Sequence, residues 1–178
     1  MRRALSCVLL TVVLLSPRAF AGMVMSFYAI PAADARELTN AKIQALLEHT
    51  DAPKMLDIDK AWHGLHFLLT GSGEPTNDIR SKAIFGGKEI GDDVGYGPAR
   101  LLTANEVKTI ARALKSETSE KLRARYDPKR MDALGIYPGI WVRDGTEALH
   151  YLLENYAALV AFYEKSAAAG HAILIVLS

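Results

Sequence analysis

One stretch of sixteen residues gathers most of the chemistry-bearing side chains in this sequence. Leu56-Asp57-Ile58-Asp59-Lys60-Ala61-Trp62-His63-Gly64-Leu65-His66-Phe67-Leu68-Leu69-Thr70-Gly71 holds two carboxylates, two imidazoles, an indole and a closing glycine. A neutral imidazole beside a carboxylate can pass a proton in acid–base catalysis. Two histidines three apart on a helix lie on adjacent ridges, and a carboxylate beside them could complete a metal-ligand set. The candidates for such work are Asp57, Asp59 and His66. The stretch lacks the HExxH pattern that sets a glutamate beside zinc-bound water, so no metal is expected, and no cofactor. A structural account covers the same residues: Asp59 as the N-cap of a helix, and a histidine hydrogen-bonded inside a core.

A second candidate is the glycine-rich run Gly86 to Pro98. Lys88 is followed by Glu89 where a Walker loop needs Ser or Thr. Gly95-Tyr96-Gly97 is followed by Pro-Ala-Arg where a dinucleotide fingerprint needs a further glycine. Asp92 and Asp93 would repel phosphate. The run reads as a shaped loop that presents Gly95, Tyr96 and Arg100 to a partner. Trp62 and Tyr137 join them as binding candidates, because aromatic rings with a polar handle suit interfaces. Such rings are also ordinary in cores. No GxSxG elbow is present, and nothing in the sequence marks an activated hydroxyl.

The elements that would position these residues follow from periodicity. Gly22 to Ile30 reads as a strand, and Pro31 opens helical sequence that runs to about His49, broken near Asn40. Thr50 to Pro53 is a turn. Ala61, Trp62, Leu65, Leu68 and Leu69 fall at helical spacing, and Gly71 supplies the stop. Ala83-Ile84-Phe85 reads as a short strand, Gly86 to Pro98 as loop, and Arg100 to Leu102 as extended chain. Thr103-x-x-Glu106 is a capping box. Ser116 and Asp127-Pro128 cap two shorter helices, with Met131 and Leu134 turned inward. Asp144-x-x-Glu147 starts a long helix to Ala169, and Ala172 to Leu177 is an unbroken apolar strand suited to the middle of a sheet. The expected fold is α+β: a single compact domain with a small mixed sheet covered by helices, and a long C-terminal helix followed by a final core strand.

Residues 1–21 read as a cleavable signal peptide. Arg2 and Arg3 precede the apolar run Ala4 to Leu15, and Ala19-Phe20-Ala21 suits cleavage between Ala21 and Gly22. The domain then spans 22–178, and the expected location is periplasmic or secreted; a start at Met23 would make it cytoplasmic. Loss of Arg2, Arg3 and Arg18 takes the 21 basic side chains to 18 against 20 acidic, a net charge of −2. That balance argues against nucleic acid as a partner. No integral membrane segment is expected after cleavage. Cys7, the single cysteine, lies in the leader, which excludes disulfides and thiolate chemistry from the domain.

The run Leu56-Asp57-Ile58-Asp59-Lys60-x-Trp62-x-x-Leu65-His66-Phe67-x-Leu69-Thr70-Gly71 resembles the signature of the YfbM-like family, a domain of unknown function also called DUF1877. The Gly22-Met23-Val24 start, the Ile136-Tyr137-Pro138-Gly139 turn and the closing apolar strand fit the same pattern. The resemblance covers residues 22–178 and implies one α+β domain. It implies no reaction. Some relatives are associated with bacterial toxin genes as candidate immunity proteins, which points to a cognate toxin or effector as partner. The expectation is a non-enzymatic protein-binding domain of toxin-immunity type; the alternative is a small-molecule enzyme or ligand-binding protein using Asp57, Asp59 and His66.

Overall fold

The computed structural model describes residues 22–48 and 54–178. The expected leader and the turn anticipated at 50–53 lie outside those residues. Among the described residues five strands form one sheet in the order β2-β1-β5-β4-β3. They are β1 Met25–Pro31, β2 Met55–Asp57, β3 Lys88–Asp93, β4 Pro98–Leu102 and β5 His171–Leu177. The apolar run at the C-terminus takes the central place that its composition suggests, with Ala172 to Val176 all buried. It pairs with β1 from Met25↔Leu177 to Pro31↔His171 and with β4 from Arg100↔Ile175 to Leu102↔Ile173. Every pairing is antiparallel, where a mixed sheet was expected. β5 returns between two strands that both run opposite to it, so no parallel neighbours arise.

The two faces of the sheet carry different cores. Phe27, Ile173 and Ile175 point into the larger one. Tyr28, Leu174 and Val176, one residue out of phase, join Ile43 in the smaller one. The smaller face is covered by α1 Ala32–Ala35 and α2 Asn40–Glu48, which supplies Ile43. The larger face holds α3 Trp62–Thr70, α4 Lys82–Phe85, α5 Ala104–Lys115, α6 Ser119–Arg125, α7 Pro128–Ala133 and α8 Trp141–Ala168.

The sequence signature is α3, and it sits in the middle of the larger core. Trp62, Gly64, Leu65, His66, Phe67, Leu68 and Leu69 are all buried, and only His63 and Thr70 of this helix keep partial exposure. Leu65, Phe67, Leu68 and Leu69 are at most 1% exposed, each worth about 1.5–3 kcal/mol of apolar burial. Gly71 adopts a left-handed conformation (φ 75°) and its N–H bonds the Phe67 carbonyl at 2.7 Å, ending the helix as expected. Side chains from other helices reach two carbonyls at this end. Arg125 donates to Leu68 O and Arg130 to Gly71 O, both at 3.2 Å. These cations also suit the negative end of the helix dipole.

Several local expectations change. Residues 83–85 are helical, not extended. Three apolar residues are too few to show a period, and Ala83 and Ile84 turn into the core on a single helical turn. The run anticipated as loop at 86–98 contains the charged edge strand β3, hairpinned to β4. An edge strand tolerates Lys, Glu and Asp that a central strand would not. A register shift between Ile90 and Asp93 bulges it at Gly91 (φ 78°). Thr118, not Ser116, caps α6, and Leu134 is 50% exposed instead of inward. The Thr103–Glu106 box and the Asp127 cap form as read. The long helix starts at Trp141, ahead of the Asp144-x-x-Glu147 start expected, and Gly145 breaks it with φ 49°, ψ −113°, so the expected start falls at this break.

Gly64 is the tightest point of this packing. A Cβ there would lie 2.5 Å from Trp141 Cη2 and 2.8 Å from Leu152 Cδ2. Gly64→Val should therefore lower unfolding free energy by about 1–3 kcal/mol through overpacking, read by urea denaturation. An unchanged midpoint would show that α3 and α8 are not locked here.

Candidate functional site

Asp57 ends β2 and Asp59 opens the 3₁₀ turn Asp59–Ala61 that leads into α3. Asp59 is not a helix N-cap; Asp57 closes an Asx turn ahead of it, its Oδ1 accepting the Asp59 N–H at 2.6 Å. Asp59 takes a left-handed conformation (φ 46°), which an aspartate tolerates better than most side chains. That backbone turn carries its carboxylate outward, where Oδ2 accepts the Tyr151 hydroxyl of α8 at 3.0 Å. Burial and the neighbouring carboxylate push the Tyr151 phenol well above its ordinary range, so it stays a donor. Asp59 and Tyr151 wall a cleft of about 400 Å³ with Lys60, Pro138, Asp144 and Glu147. Nothing in the sequence pairs Tyr151 with Asp59, 92 positions earlier; the contact arises only when α8 crosses the start of α3.

A second cleft of about 590 Å³ adjoins the first at Pro138. Trp62, His63 and the Gly135–Gly139 turn line it. Trp62 stacks on His63 at 4.9 Å and on Tyr137 at 5.8 Å between ring centroids, and its indole N–H bonds Met23 O at 3.1 Å. His63 Nδ1 accepts the Tyr137 N–H at 3.0 Å, so Nε2 carries the proton that bonds Gly73 O at 2.8 Å. The imidazole thus pins two loops to α3. Trp62 and Tyr137, both read as binding candidates, come together here. Their contact is an internal stack, and Trp62 is 6% exposed.

His66 lies elsewhere. It is fully buried, with Nδ1 at 2.9 Å from Ser72 O and Nε2 at 2.9 Å from Ser81 Oγ. A carbonyl only accepts, so Nδ1 is protonated and Nε2 accepts the Ser81 hydroxyl. Ser81 Oγ accepts the Thr76 N–H at 3.0 Å. The pair has the hydrogen bond of a serine–histidine dyad, yet Ser81 is 1% exposed and His66 has no exposed surface. The chain Thr76–Ser81–His66–Ser72 instead ties the 72–81 loop to α3. Burial, the largest influence, lowers the His66 pKa; the Ser72 carbonyl opposes it. Ser81 was missed because a serine fifteen residues from a histidine leaves no pattern.

The same loop is anchored further out by an ionic network. Arg80 donates to Asp78 and, at 2.8 Å, to Glu117, and Arg125 reaches the other Glu117 oxygen at 2.7 Å. The remaining binding candidates lie on the β3–β4 hairpin, toward the other edge of the sheet. Gly95 (φ 145°) sits where a Cβ would meet Ser178 Cα at 2.8 Å, and the Tyr96 N–H bonds Leu177 O at 3.1 Å. Tyr96 is 52% exposed, while Arg100 bonds Glu89 and the Phe85 carbonyl. The structure therefore separates the candidates into four places: Asp57 and Asp59 with Tyr151, Trp62 with Tyr137 at the second cleft, His66 with Ser81, and Gly95, Tyr96 and Arg100 at the hairpin. Among the described residues no group of three or more His, Cys, Asp or Glu side chains is placed to hold a metal ion. No helix among them is long and apolar enough to cross a membrane.

Comparison with known proteins places these features in a family. The model of a domain of unknown function, DUF1877, matches residues 21–176. Protein YfbM of Escherichia coli (strain K12) is 30% identical over 159 residues, covering 79% of this chain and 95% of that protein. The crystal structure of YfbM from Escherichia coli, described as a protein of unknown function, superposes with a TM-score of 0.66 at 27% identity. That match covers 88% of this chain and 100% of the other.

The depressed His66 pKa makes a signed prediction. The unfolded chain binds the proton more readily, so this contribution is complete above the ordinary histidine pKa of about 6.5. It is lost as pH falls below that value toward the folded pKa. The wild-type melting temperature should drop more steeply between pH 7 and 5 than that of His66→Gln, which should be lower at pH 7. Parallel pH profiles would refute this role. Asp57→Ala should lower the unfolding free energy by about 0.5–1.5 kcal/mol, read by denaturant titration, through loss of this turn hydrogen bond.

Proposed function

The chain belongs to the DUF1877 family, and from that premise we propose that it is a non-enzymatic protein-binding domain, of the type that neutralises a toxin or effector by covering its surface. The observation that carries this reading is the internal engagement of the polar groups of α3, next to an outer surface with the make-up of an interface. His63 and His66 use both ring nitrogens on the chain's own atoms. His66 does not share a hydrogen-bonding partner with Asp57 or Asp59. Around the Gly135–Gly139 turn, Leu134 and Val142 are 50% and 52% exposed. Asp132, Asp144 and Glu147 line the two clefts that meet at this turn, together with Asp59. Large apolar side chains with charged groups at the periphery are the usual plan of a protein interface. The excess of carboxylates favours a partner with a basic contact face.

The leader-like sequence at 1–21 supports action outside the cytoplasm. A direct test expresses the product of a neighbouring gene with this protein, with and without residues 1–21, and scores complex formation and rescue of growth. Binding with rescue that needs the leader is expected; no complex, or rescue by the leaderless form alone, would count against the proposal. Leu134→Asp and Val142→Asp should each weaken such a complex about tenfold or more at unchanged melting temperature. Full binding by both variants would remove this face from consideration.

A further inference from the structure

A third cavity, away from the 135–140 turn, has a different character. It lies between the β1–β2 edge and the C-terminal half of α8, with a volume of about 440 Å³. That size is within the range of small-molecule sites. Leu56, Ala158, Ala161 and Phe162 make its apolar wall, and the two alanines leave the space that larger side chains would fill.

Its charged groups are all cationic or neutral: Lys54, Lys165 and His171 line it, and no carboxylate does. Among the described residues Lys54 and Lys165 form no ion pair, whereas Lys115 at another surface cavity is paired with Glu164 at 2.8 Å. A lysine in the last turn of a helix is partly explained by the helix dipole. Lys54 and His171 come from other elements and have no such explanation.

Register places these groups at one end. His171 pairs with Pro31, and the Ala29 N–H bonds Lys54 O, so both belong to the C-terminal end of β1. Lys165 lies in the last turn of α8, just before β5 starts at His171. Leu56 pairs with Phe27, toward the other end of β1, and Ala158 lies two turns earlier on α8. The cavity is thus apolar at one end and cationic at the other.

Ser166 adds an independent sign. It is 2% exposed and lines this cavity. Its hydroxyl makes no hydrogen bond among the described residues, yet no fully enclosed side-chain oxygen there lacks a partner. The little surface it keeps therefore includes the hydroxyl, which faces the cavity beside Lys165.

We propose that this cavity binds a fatty acid, with its carboxylate held by Lys54, Lys165, His171 and the Ser166 hydroxyl and its acyl chain lying along α8 toward Leu56. From Ala158 to Ala169 the helix rises about 16 Å, which suits an acyl chain of about a dozen carbons. The site is separate from the proposed protein-binding face and does not depend on it.

The test is calorimetric titration of the protein with sodium dodecanoate, with dodecylamine and dodecyl phosphate as comparison arms. Dodecanoate should bind one to one, dodecylamine should not bind, and dodecyl phosphate should bind no better than dodecanoate. Lys165→Glu and Lys54→Glu should each weaken dodecanoate about tenfold or more, and Ala161→Trp should abolish binding, all at unchanged melting temperature. Equal binding of the amine, preference for the phosphate, insensitivity to these substitutions, or no binding at about 1 mM would overturn the proposal.

Discussion

The structure depends on one helix being buried around almost its whole circumference. α3 reaches the centre of the larger core only because Gly64 has no Cβ, which lets Trp141 and Leu152 press against its backbone. Trp141 is held there by its indole N–H, which bonds Ile136 O at 2.7 Å. The short segment carrying Trp141 meets the long part of α8 at the break on Gly145. The Tyr126 hydroxyl reaches both the Trp141 and Gly145 carbonyls at that break, at 3.2 and 2.8 Å. Removing any of these contacts would disturb the others, because a close-packed interior adjusts in discrete steps.

A helix so largely buried must satisfy most of its polar atoms from within. Thr70 returns its hydroxyl to His66 O at 2.8 Å, and the two histidines bind loops instead of solvent. Among the described residues no fully enclosed side-chain nitrogen or oxygen lacks a partner. The same hydrogen bonds fix the 72–81 loop and the 135–140 turn against α3. The density of ionisable groups in the signature is then a consequence of centrality: several segments converge on this helix, and polar contacts set where each one lies. Functional contacts are left to the surfaces those segments form.

Features governed by local chemistry were legible in the sequence. Gly71 as a left-handed stop, the Thr103–Glu106 box, the Asp127-Pro128 start and the apolar run at 172–177 each announce themselves within a few residues. Features set by distant partners were not. β3 is charged and glycine-rich, and becomes a strand because β4 offers it a ladder at the sheet edge. Leu134 fits an inward helical stripe but falls where α7 ends, so it turns to solvent. Asp59 has the composition of a cap, yet with its positive φ its N–H bonds Asp57 and its own carboxylate reaches Tyr151. For the candidate site, the residue types were visible and their grouping was not. Nothing along the chain links Ser81 to His66 or Tyr151 to Asp59.

The central claim is that α3 is the innermost and last element to open. Native-state hydrogen exchange measures this directly, because each amide reports the free energy of the opening that exposes it. The Leu65–Leu69 amides should exchange only through global unfolding, with a free energy equal to that from denaturant titration and shared by the Ala172–Val176 amides of β5. Exchange of the α3 amides through a smaller, local opening would contradict the account and restore the signature helix as a mobile, accessible element.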